Sequence, residues 1–368
     1  MKPYSRQSIN KQDLIAVKNV LLSKSLTKGP KVLEFEKKIA NYVKSNYAVA
    51  CNSATSGLHL ACLALGLKKN DLVWTSSNTF VASANAPALL GCKIDFLDIS
   101  LKDFNIDLDK LEKKLKTSKK KPKVIINVHF AGKPSNQKKI YNLSKIYNFK
   151  IIEDASHALG AKKNNFLVGS NKWSDFTVFS FHPVKPITTG EGGMVTTNNK
   201  KYFNRMKIFR EHGLKRFKSK KPYNYNQIEL GLNYRMTDIS AALGISQLSR
   251  LNQFNKKRNF LADNYKKFFQ NNAIEYQQIE ADCFSSYHLF VVLLKKRDEV
   301  YNELLKNNFY CPLHYIPMYR HQFYRASYKN FPNCEKYFRC ALSLPLYPDL
   351  SVNHQRNVIN IINRVIKK

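Results

Sequence analysis

Lys185 stands in Ser180-Phe181-His182-Pro183-Val184-Lys185-Pro186, with Thr188-Thr189-Gly190-Glu191-Gly192-Gly193 close behind it. Proline at 186 biases the lysine away from helix, and the glycine-rich continuation permits close approach of backbone to a ligand. A lysine in that setting is a candidate nucleophile toward a carbonyl carbon, although a lysine met alone is ordinarily solvated surface. Thirty-one residues earlier, Ile151-Ile152-Glu153-Asp154-Ala155-Ser156-His157-Ala158 reads as an apolar strand ending in a carboxylate, with His157 three residues beyond Asp154. Ligands of α/β sheets sit outside the carboxyl ends of the strands, where Asp154 would meet one; its plainer use is to cap the next helix. A third segment, Asn52-Ser53-Ala54-Thr55-Ser56-Gly57, joins a strand to a helix with small and hydroxylated residues. It offers N–H groups, hydroxyls and a helix dipole to a phosphate, or simply starts a helix well. Together the three supply an anion cradle, a carboxylate for a pyridine nitrogen and an amine for an aldehyde, the components of a pyridoxal phosphate site.

Positioning them requires a sheet whose strand ends converge. Between about residue 45 and residue 200, short β-branched runs alternate with helical patterns, which predicts an α/β fold with a mostly parallel sheet covered by helices. Candidate strands are Ala48 to Cys51, Leu72 to Thr75, Lys93 to Leu97, Val124 to Val128, Ile151 to Glu153, Thr177 to Phe181 and Met194 to Thr197. Helical patterns fall at Ser56 to Ala64, Phe80 to Leu89, Asp109 to Leu115 and Gln137 to Tyr147. A long helical stretch near Asp238 to Phe269 carries Ala241, Leu243, Ile245, Leu248 and Leu251 at helix-like spacing. The domain boundary is placed there, giving a large domain over 1–245 and a smaller α+β domain over 246–368 with a strand-like Leu289 to Leu294 and a helix-like Asp298 to Leu305.

At 368 residues, 43% hydrophobic and 12% aromatic, the chain can build such cores without disulfide or metal staples. Seven cysteines form no C-x-x-C pair and several lie in apolar stretches, the pattern of reduced thiols in a cytoplasm. No metal site is expected. Met1 to Ile9 lacks a hydrophobic signal region, and no apolar run nears the ~18 residues of a membrane span, so no membrane partner is expected. The formal charge of +35, from 61 Lys+Arg against 26 Asp+Glu, is extreme. Runs such as Lys119 to Lys123 and Lys215 to Lys221 fit a compositional bias, steering of an anionic substrate, or nucleic-acid binding.

The motifs resemble, nearly end to end, the DegT-type nucleotide-sugar aminotransferases of the aspartate-aminotransferase fold. Tyr4 to Ile9, Leu26 to Pro30, Asn52 to Gly57, Glu153 to Ala158, Phe179 to Gly193, Leu232 to Asp238 and His314 to Pro317 fall in that family's order. Ala131-Gly132-Lys133-Pro134, Ser156 to Gly160 and Phe181 to Thr189 resemble most the branch that aminates C4 of UDP-linked 4-keto sugars in pseudaminic acid biosynthesis.

The resemblance implies a type I pyridoxal phosphate fold, a UDP-linked 2-acetamido-2,6-dideoxy-4-keto hexose as acceptor, L-glutamate as donor, and a homodimer with shared sites. It implies that Lys185 bonds to the cofactor aldehyde and moves a proton between cofactor and substrate carbons, and that Asp154 pairs with the pyridinium nitrogen. His157 would contact the cofactor ring face or its 3′-oxygen, and Phe80 would stack on the ring. Thr55, Ser56 and Ser180 would hold the phosphate, with Asn233 reaching the phosphate of the neighbouring subunit. Thr27, Lys28, His314 and Tyr315 resemble positions lining the substrate cleft, although His314 and Tyr315 also read as packing residues of the small domain.

Two rivals remain. A relative acting on another keto sugar, at C3 or with another nucleotide, shares these motifs; a deoxysugar dehydratase would carry histidine where Lys185 stands. A basic nucleic-acid-binding protein would draw on the charge and on Tyr223 and Tyr225 after Lys221, but no helix-turn-helix, zinc-finger or RNA-recognition pattern accompanies them, and no nucleic-acid partner is expected.

Overall fold

The structure is a computed structural model that describes residues 1–217, 223–270 and 274–367. The charge run from Lys215 lies within them only as far as Phe217; its continuation to Lys221 is outside the described residues.

Seven strands form the main sheet: β1 (Tyr47–Cys51), β2 (Leu72–Ser76), β3 (Lys93–Leu97), β4 (Val124–Val128), β5 (Lys150–Asp154), β6 (Phe176–Ser180) and β7 (Gly193–Thr197). Their order is β1-β7-β6-β5-β4-β2-β3. All of β4 and β6 is buried, so neither strand shows the in-and-out alternation of a half-exposed strand, and their polar residues Asn127, Thr177 and Ser180 are buried with the rest. Pairing is parallel from β3 through β6, while β7 is antiparallel to both β6 and β1. Six strands therefore end at the same edge of the sheet, and β7 begins there.

Eleven α-helices flank and extend this sheet among the described residues. Helix α1 (Lys11–Leu21) and α2 (Pro30–Val43) precede β1, and α3 (Ala54–Leu65) follows it directly. The Ser53 hydroxyl caps α3 by accepting from Ser56 N, and Gly66 ends it in the left-handed conformation that glycine adopts without strain. The helix expected over Phe80 to Leu89 is shorter, α4 (Ala82–Ala88), which leaves Phe80 in the turn before it. Next come α5 (Leu108–Thr117), α6 (Gln137–Tyr147), α7 (Lys200–Arg210) and the long α8 (Asp238–Gln270).

Helix α8 serves two cores. Its Ala241, Leu251 and Phe254 pack with Phe35, Phe179 and Phe181 of the sheet-bearing part. Its Leu261, Ala262, Tyr265 and Phe269 pack with residues from 274 onward. The position between residues 245 and 246 lies inside this one helix. Beyond it a small antiparallel sheet, β8 (Glu275–Tyr276), β9 (Phe290–Leu293) and β10 (Ala341–Leu344), packs with α9 (Arg297–Lys306) and α11 (Val352–Ile366). α10 (Pro332–Cys340) leads into β10. No helix among the described residues is long and apolar enough to cross a membrane.

Phe35 of α2 is fully buried and lies 5.1 Å from the Phe181 ring, four residues before Lys185. Phe35→Ala is expected to lower stability by about 3–5 kcal/mol, because the rigid sheet and α8 cannot collapse into the vacated volume. Guanidinium unfolding checks this; a loss below about 1 kcal/mol would show a core that relaxes around the deletion.

Candidate active site

A cavity of about 430 Å³ opens where the parallel strands end, within the usual size of small-molecule sites. Thr55, Phe80, Asp154, His157, Ser180, Lys185, His314 and Tyr315 all line it. These eight residues come from segments far apart in sequence, and the common strand edge brings them together.

Lys185 lies in the connection from β6 to β7, which is tied to itself by hydrogen bonds. Phe181 N donates to Gly192 O at 2.9 Å, Thr189 N to Phe181 O at 2.9 Å, and Lys185 N to His182 O at 2.9 Å. From the N-terminal segment, Ser5 Oγ donates to Val184 O at 3.1 Å. Desolvation pulls the Lys185 amine down from 10.5 to about 8, against the nearby Asp154 charge, which favours the ammonium. The result is an amine near the balance between nucleophile and acid at neutral to mildly alkaline pH.

The Asp154 carboxylate is fixed by neutral donors. Ser83 Oγ donates to Oδ2 at 2.6 Å, while Ser156 donates to Oδ1 through its N–H at 3.1 Å and its hydroxyl at 2.6 Å. Thr79 and Ser83 hydroxyls are 2.9 Å apart, and because Ser83 gives its proton to Asp154, Thr79 donates to Ser83. Both carboxylate oxygens are thus oriented with lone-pair capacity left for an N–H from a bound ring.

His157 has one tautomer. Ala131 N donates to its Nδ1 at 3.2 Å, so the ring proton is on Nε2, which donates to Tyr315 Oη at 3.1 Å. Burial and the neighbouring Lys185 charge push the imidazole well below its ordinary range, so it is neutral. The ring packs 4.3 Å from the His288 ring, and Ser286 Oγ donates to the His157 carbonyl at 2.6 Å. His314 is pushed down to about 3, chiefly by burial, and its Nδ1 lies 2.8 Å from Ser343 Oγ. Its backbone carbonyl accepts from Tyr337 Oη at 2.6 Å. Packing and cavity lining are therefore both true of His314. Phe80 remains 55% exposed, its ring 5.7 Å from that of Tyr315.

Four expected residues lie elsewhere. Ser56 is one turn inside α3, its hydroxyl engaged by Asn52 Oδ1 at 2.5 Å and Ser53 Oγ at 2.7 Å, and it does not line the cavity. Asn233 is exposed, bridged to Glu211. Thr27 is exposed and bridged to Thr237, and Lys28 pairs with Glu211 at 3.5 Å in a separate cationic concavity with Arg216 and Arg235. Conversely, Tyr4, His182 and Glu191 line the cavity without having been singled out for chemistry. His182 and Glu191 flank Lys185 within the segments that carry the motif, so adjacency was the available signal; Tyr4 had none beyond its place in the family's order.

An amine of lowered pKa, a fixed carboxylate and a helix N-terminus that carries the cavity-lining Thr55 hydroxyl fit pyridoxal phosphate in donor chemistry: aldehyde, ring nitrogen and phosphate each have a counterpart. Among the described residues no group of three or more His, Cys, Asp or Glu side chains is placed to hold a metal ion. Fold and site together define the class as a pyridoxal-phosphate-dependent enzyme.

The model of the DegT/DnrJ/EryC1/StrS aminotransferase family matches residues 7–363, and the chain belongs to that family. It is 37% identical to a Campylobacter jejuni protein named UDP-4-amino-4,6-dideoxy-N-acetyl-beta-L-altrosamine transaminase, over 100% of this chain and 98% of that one. The structure is similar to Helicobacter pylori PseC, an aminotransferase involved in the biosynthesis of pseudoaminic acid, with a TM-score of 0.91, 31% identity and coverage of 99% and 98% of the two chains. It is also similar to the PLP form of Spr1654 from Streptococcus pneumoniae, with a TM-score of 0.91, 27% identity and coverage of 99% and 98%. The chain is accordingly an aminotransferase of that family, with pyridoxal 5′-phosphate as its cofactor.

The lysine environment has a direct consequence for pH. In the cofactor-free protein, acylation of Lys185 is expected to rise through a midpoint near 8, where surface lysines rise near 10.5. Asp154→Asn removes the charge that favours the ammonium and moves the midpoint lower. Competitive labelling followed by mass spectrometry of the Lys185 peptide gives both values; a midpoint near 10.5 would show a fully hydrated amine.

Proposed function

We propose that the chain transfers the amino group of L-glutamate to C4 of a UDP-linked 2-acetamido-2,6-dideoxy-4-keto hexose. The products are 2-oxoglutarate and UDP-4-amino-4,6-dideoxy-N-acetyl-β-L-altrosamine, the compound on the route to pseudaminic acid. The observation that carries this reading is 37% identity across the whole chain to enzymes named for that product. The cavity supports it in kind.

Pyridoxal phosphate, when bound, supplies an aldehyde that takes up the amino group and a protonated ring that withdraws electrons from the reacting carbon. In this reading Asp154 meets the ring nitrogen and keeps its proton. Thr55 and Ser180 hydroxyls, with the N-terminus of α3, hold the phosphate, and Ser56 acts by shaping that turn. Phe80 packs on the ring, and His157, neutral, directs Nε2–H toward Tyr315. Lys185 takes a proton from Cα of glutamate and returns one to C4 of the sugar, a role suited by an amine near 8. His314 and Tyr315 border the space left for the sugar. Asn233, exposed and outside the cavity, is proposed to reach the phosphate in a second subunit of a homodimer, and Thr27 and Lys28 to meet substrate from the same surface.

The deciding experiment incubates the enzyme with L-glutamate and UDP-4-keto sugars of both C5 configurations, a 3-keto isomer and dTDP- and GDP-linked analogues. Turnover of the UDP-4-keto sugar that yields the altrosamine product is expected, and exclusive use of any other acceptor rejects the assignment. Lys185→Ala is expected to lower the rate by at least about 10²- to 10⁴-fold, the usual contribution of a positioned acid–base group.

A further inference from the structure

β1 is an edge strand, so the outward backbone groups of Ala50 have no neighbouring strand to pair with. Two side chains take that place. Glu36 Oε1, from α2, accepts from Ala50 N at 2.9 Å, and Arg210 Nη1, from the last residue of α7, donates to Ala50 O at 2.9 Å. The two close on each other, Arg210 Nη1 donating to the same Glu36 Oε1 at 2.6 Å. Both side chains are about nine-tenths buried.

The next outward N–H, that of Asn52, donates to Tyr234 O at 3.0 Å, and Tyr234 N donates to Arg210 O at 3.1 Å. Arg210 therefore holds the strand twice: through its guanidinium at Ala50, and through its carbonyl by way of Tyr234 at Asn52. The turn that begins at Ser53 follows at once. From the opposite side β7 presses on that turn so closely that a Cβ on Gly193 would stand 2.4 Å from Ser53 O. The turn is fixed between a clamp on one edge and a strand on the other.

Stability alone does not call for an ion pair here. Replacing a buried pair with apolar side chains is often neutral or stabilising, and solvent would satisfy an exposed edge. Neither residue lines the cavity. We propose that Glu36 and Arg210 are positioning residues that set the Ser53 to Thr55 turn so that its N–H and hydroxyl groups converge on the cofactor phosphate. The proposal rests on the reading of that turn as the phosphate cradle.

The test compares pyridoxal phosphate with pyridoxal, which lacks the phosphate, for binding to the cofactor-free full-length protein followed by absorbance. In Glu36→Gln, electrostatics alone would tighten the phosphorylated compound, because Arg210 loses its counter-charge. Positioning requires the reverse. Pyridoxal phosphate should weaken by at least about tenfold, the scale of one hydrogen bond to a charged group, with pyridoxal changed little. Arg210→Lys keeps the charge but not the geometry at Ala50, and is expected to give the same fall in the ratio. Circular dichroism and thermal melting establish that each variant is folded, and Arg210→Lys serves alone if Glu36→Gln is not. An unchanged or increased ratio in a folded variant overturns the proposal. Thr55→Val separates the two layers. A fall there without one in the clamp variants rejects the clamp and keeps the cradle, and no fall in any of the three rejects the cradle itself.

Discussion

Withdrawing the amine of Lys185 from water while leaving it beside a carboxylate is the constraint around which this protein is built. Desolvation favours the neutral amine and Asp154 favours the ammonium, and the outcome near 8 is a balance of the two. Such a balance survives only if neither partner can move. The carboxylate is pinned by Ser83 and Ser156, and the lysine segment by its own turns and by Ser5.

The part of the chain beyond α8 contributes to the same end. Ser286 reaches across to the carbonyl of His157, and His288 packs on its ring, so residues beyond α8 hold His157 by both its backbone and its imidazole. Gly132 makes this contact possible: its φ is +99° and an added Cβ would lie 2.4 Å from Ser286 Oγ. Arg258, buried in α8, donates to the carbonyl of Leu346 at 2.6 Å and faces Tyr287 and His288 carbonyls at 3.3 Å. The two cores are joined through polar contacts behind the cavity as well as through the helix they share.

Much of this was legible in the residues. Each strand of the main sheet lies within one residue of its expected ends. Asp154 and Lys185 were readable because each ends or follows such a strand. The contacts that hold them were not. Ser5 meets Val184 across 179 positions and Ser83 meets Asp154 across 71, and no local pattern encodes a pairing of that range. The two-residue strands Lys162–Lys163 and Cys283–Phe284 pair with each other yet carry no periodicity to announce it. Thr27, Lys28 and Asn233 came from family resemblance alone, and in the single chain they lie away from the cavity.

The reversal of β7 settles how the reactive lysine is displayed. Because β7 runs against β6, Ser180 and Gly193 are paired neighbours, and the segment bearing Lys185 leaves and re-enters the sheet at one point. A parallel crossover would have carried the same residues over the face of the sheet to its far end. The loop is closed before any ligand arrives. Its conformational entropy is spent in folding rather than in binding, so the free energy of cofactor capture goes into contacts instead of into ordering the chain.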